Sequence, residues 1–172
     1  FPLVNVKRLI ALCVVAAGLS QVPATMALTA PVANAWHLDR INQAQLPLDG
    51  NSVHGPLTGE GVDIYIVDTG VRPTHEQVTG RVLPGIDIPT DNGSEKVSPA
   101  TSDCDGHGTH VAGLAAGSTV GVATRARLIA VRVLDCNGDG EVADVVTALQ
   151  WVRLHHRSGV AAIVNLSFGV DL

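Results

Sequence analysis

Aromatic side chains are almost missing from this sequence, at 3% of 172 residues. Beside 18 glycines, that scarcity points to small-residue packing and many tight turns. Charge is sparse too, at 16% against a hydrophobic share of 46%, which excludes a disordered chain and suits a buried core. The length allows one domain and is too short for two comfortable ones. Internal repeats and low-complexity blocks are absent. So is any unbroken apolar run near the ~20 residues that span a bilayer. The longest, from Leu9 to Leu19, is closed off by Gln21 and Pro23, which favours an export signal over its alternative, a membrane anchor.

Acidic residues are absent from the first 35 positions. Lys7 and Arg8 open them, the apolar run follows, and Ala33-Asn34-Ala35 ends them in a small-x-small pattern. Those are the parts of a secretory signal peptide, expected over residues 1–35, so the chain is expected to be secreted. Without Lys7 and Arg8, the 11 basic and 16 acidic residues become 9 against 16, a net charge of −7. That excess of negative charge disfavours nucleic acid or an anionic membrane surface as partner. Cys13 leaves with the signal. An exported chain with only Cys104 and Cys136 left most simply carries one disulfide, the alternative being two unpaired core residues.

Residues 36–61 are polar and turn-rich and read as an irregular arm. Val62 to Val67 is β-rich and ends in Asp68-Thr69-Gly70, a strand and a turn. Pro84, Pro89, Asn92-Gly93 and Pro99 give residues 84–106 the chemistry of a loop. Small and apolar residues from His107 to Gly117 predict a buried helix, and Leu128 to Leu134 a second strand. Val142, Val145, Val146, Leu149 and Val152 fall at helical spacing, predicting an amphipathic helix over about 141–156. Ala161 to Leu166 is a third, nearly continuous apolar strand. Strands alternating with helices imply an α/β fold with a parallel sheet buried on both faces. In such sheets functional groups gather at the carboxyl ends of strands, where Asp68 and Ser167 fall, while His107 opens a helix.

A carboxylate after a buried strand and a histidine at a helix start are two parts of an acyl-transfer site. The carboxylate fixes the imidazole tautomer and stabilises the imidazolium formed when the ring takes a proton. A helix N-terminus disfavours that cation, so His107 would need the charge of Asp68. Spacing alone does not show that the two residues, 39 apart, touch.

The segments Ile66-Val67-Asp68-Thr69-Gly70-Val71, Asp105-Gly106-His107-Gly108-Thr109-His110-Val111-Ala112-Gly113 and Val164-Asn165-Leu166-Ser167-Phe168-Gly169 resemble three successive motifs of the subtilase family of serine proteases. Asp103 to His107 and Val133 to Gly138 are similar to the cysteine segments of its proteinase K-like secreted branch. The resemblance covers most of residues 36–172, which would form the N-terminal portion of a catalytic domain: a parallel sheet flanked by helices, incomplete on its C-terminal side, with an exposed apolar face. It implies a serine endopeptidase acting on polypeptides, monomeric at full length. Asp68 would be the triad carboxylate and His107, not His110, the general base. Ser167, Phe168 and Gly169 would pair with extended substrate as an added strand, with Gly138 and Gly140 facing them across the cleft. The family's nucleophilic serine and oxyanion asparagine lie in later motifs that have no counterpart before Leu172, so residues 1–172 alone are expected to be inactive. Trp36 to Ile41 looks like a mature start, placed without the propeptide many secreted subtilases carry.

Asp39, Asn42, Gln43, Asp49 and Asn51 offer hard oxygen ligands suited to calcium, at a spacing similar to a site in some proteinase K-like members. The plainer reading is a solvated polar arm. Asp135-x-Asn137-x-Asp139-Gly140 begins like an EF-hand loop but puts Val146 where the bidentate Glu belongs, which excludes it. A zinc site from Cys104, His107, His110 and Cys136 is the rival to a disulfide and triad, and the glycines around the histidines favour the latter. Asp68-Thr69-Gly70 as an aspartic-protease motif lacks a second copy. A non-catalytic secreted peptide binder is the alternative of a different class.

Overall fold

The computed structural model describes residues 35–52, 57–88 and 102–169, so the export signal read over residues 1–35 lies almost wholly outside it. Four parallel strands form one sheet: β1 (Asp63–Asp68), β2 (Val82–Asp87), β3 (Arg127–Arg132) and β4 (Ala162–Leu166), in the order β2-β3-β1-β4. Among the described residues three helices accompany them: α1 (Trp36–Asn42), α2 (His107–Ala116) and α3 (Val142–His155). This is the expected α/β architecture.

Alternation along the central strands builds two cores. Ile64 and Ile66 of β1, with Leu128 and Ala130 of β3, face α2 and its Ala112 and Ala116. Tyr65 and Val67, with Ile129 and Val131, face Ala148 and Val152 of α3. A strand covered on both faces has no reason to alternate apolar with polar, which is why β1 and β3 read as apolar runs.

Two expectations are corrected. The arm over 36–61 is not wholly irregular, since Trp36–Asn42 forms α1 and buries Leu38. The loop read from residue 84 begins too early, because Val82–Asp87 is β2. Pro84 hid it, yet proline is tolerated at an edge or a bulge, and β2 has both. Among the described residues it pairs only with β3, and between Leu83 and Ile86 the register slips so that Pro84 and Gly85 oppose one residue. Gly85 is required there: a Cβ would sit 1.7 Å from the Ala130 carbonyl oxygen.

The apolar set on α3 also divides. Val145 packs on the core with Ala148 and Val152, while Val142, Val146 and Leu149 are exposed. Residues at i, i+3 and i+4 span two adjoining stripes, and the sheet covers one. β4 departs likewise from a sheet buried on both faces. It pairs with β1, and Ile163 and Leu166 stay exposed.

Candidate active site

Asp68 ends β1, between the strands β3 and β4 whose carboxyl ends lead into the segments carrying Gly138–Gly140 and Ser167–Gly169. After β1 the chain lays β2 at the far edge and β3 between them, then crosses to the other side of β1 for β4, a topological switch point of the kind where open α/β sheets bind ligands. Central position makes Asp68 fully buried.

Its Oδ1 accepts hydrogen bonds from the Thr69 backbone N–H at 2.7 Å and lies 2.8 Å from His107 Nδ1. Oδ2 is buried with no partner among the described residues. The imidazole that meets this carboxylate is 46% exposed, against 0% for Asp68. The acid is therefore fixed in the protein, while the ring reaches solvent and keeps Nε2 free to take a proton. Its hydrogen bond to Asp68 raises the His107 pKa above its ordinary value, with partial burial opposing and the charges of Asp68, Asp105 and Asp103 adding to it.

Small residues make the approach possible. A Cβ on Gly108 would lie 2.1 Å from the Gly70 carbonyl oxygen and 3.1 Å from Asp68 Oδ1. Gly106, which caps α2, has φ of 106° and carries no side chain to cap it. The first turn is held instead by a buried group that the sequence reading passed over. Asp103 Oδ1 accepts from Gly106 N–H at 2.8 Å and from the Thr69 hydroxyl at 2.9 Å. Its Oδ2 accepts from the Thr109 N–H at 2.8 Å and from the Thr109 hydroxyl. The Thr69 oxygen in turn accepts from Gly108 N–H at 2.9 Å. No local pattern marks this role, because the N-cap is Gly106 and Asp103, three residues before it, also bonds Thr69, 34 residues away.

The remaining expected residues fall around the pair. Ser167 and Gly169 are exposed just after β4, and Phe168 packs partly on the α3-side core. Gly138, with φ of 83°, sits in a turn that Asp135 closes through the N–H groups of Asn137 and Asp139. Gly140 lies where a Cβ would meet the Val133 carbonyl oxygen at 2.5 Å. Cys104 and Cys136 are joined by a disulfide, which removes both as zinc ligands. His110 is exposed one turn further along α2 and lines a cavity of about 720 Å³ with Trp36, Arg72 and His75; neither Asp68 nor His107 lines it.

The five arm residues do gather. Asp39 Oδ2 accepts from Gly50 N–H at 2.8 Å, Gln43 Oε1 from Asp49 N–H at 3.2 Å, and Asp49 Oδ1 from Asn51 N–H at 2.9 Å. Asn42 Nδ2 donates to the Asn51 carbonyl. Among the described residues Asp39 Oδ1 is buried with no partner, an oxygen a hard cation would satisfy. Among the described residues no group of three or more His, Cys, Asp or Glu is placed to hold a metal; this set has two carboxylates, with amides and carbonyls beside them.

Comparisons with known proteins agree with the geometry. Residues 59–171 match the peptidase S8 (subtilase) family. The chain is 47% identical over 134 residues to an extracellular serine proteinase of Thermus sp. (strain Rt41A), covering 78% of this chain and 30% of that protein. It is 43% identical to alkaline serine exoprotease A of Vibrio alginolyticus, covering 78% of this chain and 23% of that one. Among solved structures, a cold adapted subtilisin-like serine proteinase superposes with a TM-score of 0.70 at 41% identity, over 80% of this chain and 47% of its own. The chain thus spans less than a third of the length of those two sequence relatives. On its motifs, its sheet and these matches together, the chain belongs to the subtilase family.

Proposed function

We propose that these residues supply the acid-base half of a secreted serine endopeptidase. The observation that carries the reading is the 2.8 Å contact between buried Asp68 and half-exposed His107 at a sheet switch point. In the proposed reaction His107 Nε2 takes the proton of a serine hydroxyl as it attacks the peptide carbonyl, and returns it to the leaving amine. Asp68 keeps Nδ1 protonated, so Nε2 is the basic nitrogen, and stabilises the imidazolium. The serine is expected from a motif that residues 1–172 do not contain, so the test uses the product of the whole gene.

Substrate would lie extended between Ser167–Gly169 and Gly138–Gly140, the two segments flanking Asp68, with backbone hydrogen bonds giving affinity. The Thermus relative, named an extracellular serine proteinase, supports secretion of this chain as well. Calcium would be held by Asp39, Asn42, Gln43, Asp49 and Asn51, where it would tie α1 to the turn after it. Both carboxylates and the orphaned Asp39 oxygen suit that ion.

A fluorophosphonate probe with a peptide-amide substrate tests the reading. Labelling together with hydrolysis is expected. Peptide binding without labelling or hydrolysis would replace the enzyme with a non-catalytic binder.

A further inference from the structure

We propose that Asp103 is a positioning residue, holding Asp68 and His107 at their contact through Thr69 and the first turn of α2. The inference rests on the acid-base pair of the preceding subsection and adds a group that touches neither reacting atom.

Asp103 is only 6% exposed, and a buried carboxylate needs partners. All of them lie on the two segments that must meet. Three of its four donors belong to the start of α2: the N–H of Gly106, and the N–H and hydroxyl of Thr109. The fourth is the Thr69 hydroxyl, one residue beyond Asp68. Thr69 then acts twice more, donating its N–H to Asp68 Oδ1 and accepting from Gly108 N–H beside His107. Thr109 extends the frame by accepting the Arg72 N–H at 2.9 Å. The backbones also touch, since a Cβ on Gly70 would lie 2.6 Å from the Ser102 carbonyl oxygen.

An ordinary helix cap is the plainer role, and it accounts for the bonds to Gly106 and Thr109. A cap also accounts for the Thr69 oxygen accepting the Gly108 N–H, but not for the Thr69 hydroxyl donating to Asp103 while the Thr69 N–H donates to Asp68 Oδ1, which ties the end of β1 to the same carboxylate. Burial alone would push the Asp103 carboxyl up. Its bonds from Thr109, Gly106 and Thr69 outweigh that and hold it below the ordinary range, so it stays an acceptor at every donor.

The test is the titration of His107 by NMR of ¹⁵N-labelled histidine, in the product of the whole gene and in four variants. Asp68→Asn is the control for the pair itself and is expected to lower the His107 pKa. Thr69→Ala leaves the Asp103 charge in place but cuts the link; it is expected to move the His107 pKa down towards 6.5, its ordinary value. Thr69→Ser restores the hydroxyl and is expected to keep the wild-type titration. Asp103→Asn sets a donor against donors and is expected to shift His107 as Thr69→Ala does.

If Asp103→Asn shifts His107 and Thr69→Ala does not, Asp103 acts by charge alone and the inference is overturned. If neither shifts it while both lower the melting temperature, Asp103 is only a cap, and the inference is again overturned. Should Asp103→Asn fail to fold, the contrast between Thr69→Ala and Thr69→Ser decides. A control that leaves His107 unmoved would instead overturn the pairing beneath both readings.

Discussion

At the residue scale the site is an exposed base on a buried acid. The raised pKa of His107 has two consequences. For stability, a histidine whose folded pKa exceeds its unfolded one stabilises fully below the unfolded value, near 6.5. That contribution is lost as pH rises through the higher folded value. For catalysis the order reverses, because only the neutral ring accepts a proton. Peptide hydrolysis is therefore expected to rise with pH through a pKa above 6.5, set mainly by Asp68. In Asp68→Asn the ascending limb of log kcat/KM should move to lower pH while the plateau drops steeply; a limb that stays put would mean another group is the base. Asp68 and His107 were legible in the sequence because a strand-end Asp and a glycine-flanked His at a helix start are local patterns. Asp103 and Thr69 were not, since their role lies in whom they bond and their partners come from segments up to 39 residues apart.

At the element scale, the tight seating of α2 on the end of β1 is what brings the pair together. Gly108 is the sharpest probe of it. In Gly108→Ala the new Cβ would be 2.1 Å from the Gly70 carbonyl oxygen, which is backbone and cannot swing away. Overpacking of this kind costs about 1–3 kcal/mol, and α2 should shift off Asp68, so urea unfolding and His107 titration should change together. The disulfide bears on the same region, because Cys104 follows Asp103 directly and ties it to Cys136 beyond β3. The bond closes a sequence separation of 32 residues. In the chain-entropy picture it contributes about 3–4 kcal/mol; urea unfolding of the double variant Cys104→Ser/Cys136→Ser is expected to show that loss, and an unchanged midpoint would deny it. Central strands were legible as apolar runs of the right length. β2 was not, since Pro84 and Gly85 are loop signals unless an edge and a bulge are known to exist. The face of α3 was half legible, because periodicity marks apolar stripes without saying which one the sheet covers.

Across the whole molecule, the three layers leave the carboxyl edge of the sheet for chemistry and the N-terminal arm as an appendage. α1 is short, and Leu38 is its main buried apolar anchor, so a cation at Asp39 and Asp49 would matter to how firmly the arm holds. Calcium at one hundred times its dissociation constant would stabilise the fold by about 2.7 kcal/mol. That corresponds to a rise in Tm of roughly 5–11 °C for a chain of this size. The rise should vanish in Asp39→Asn; one that survives the substitution would put the ion elsewhere. The overall α/β architecture was legible from alternation of strand and helix alone. Which edges stay open was not, because exposure of Ile163 and Leu166 on β4 depends on what the sheet pairs with rather than on their own apolar character.

The central claim, that His107 is the base of a serine endopeptidase, is tested most directly by substituting that ring. His107→Ala in the product of the whole gene should lower kcat for a peptide-amide substrate by about 10⁴–10⁶-fold with KM little changed, since the ring acts in the transition state and not in binding. Folding of the variant would be confirmed by an unchanged circular dichroism spectrum. Hydrolysis at the wild-type rate by the folded variant would contradict the account and move the chemistry to another site.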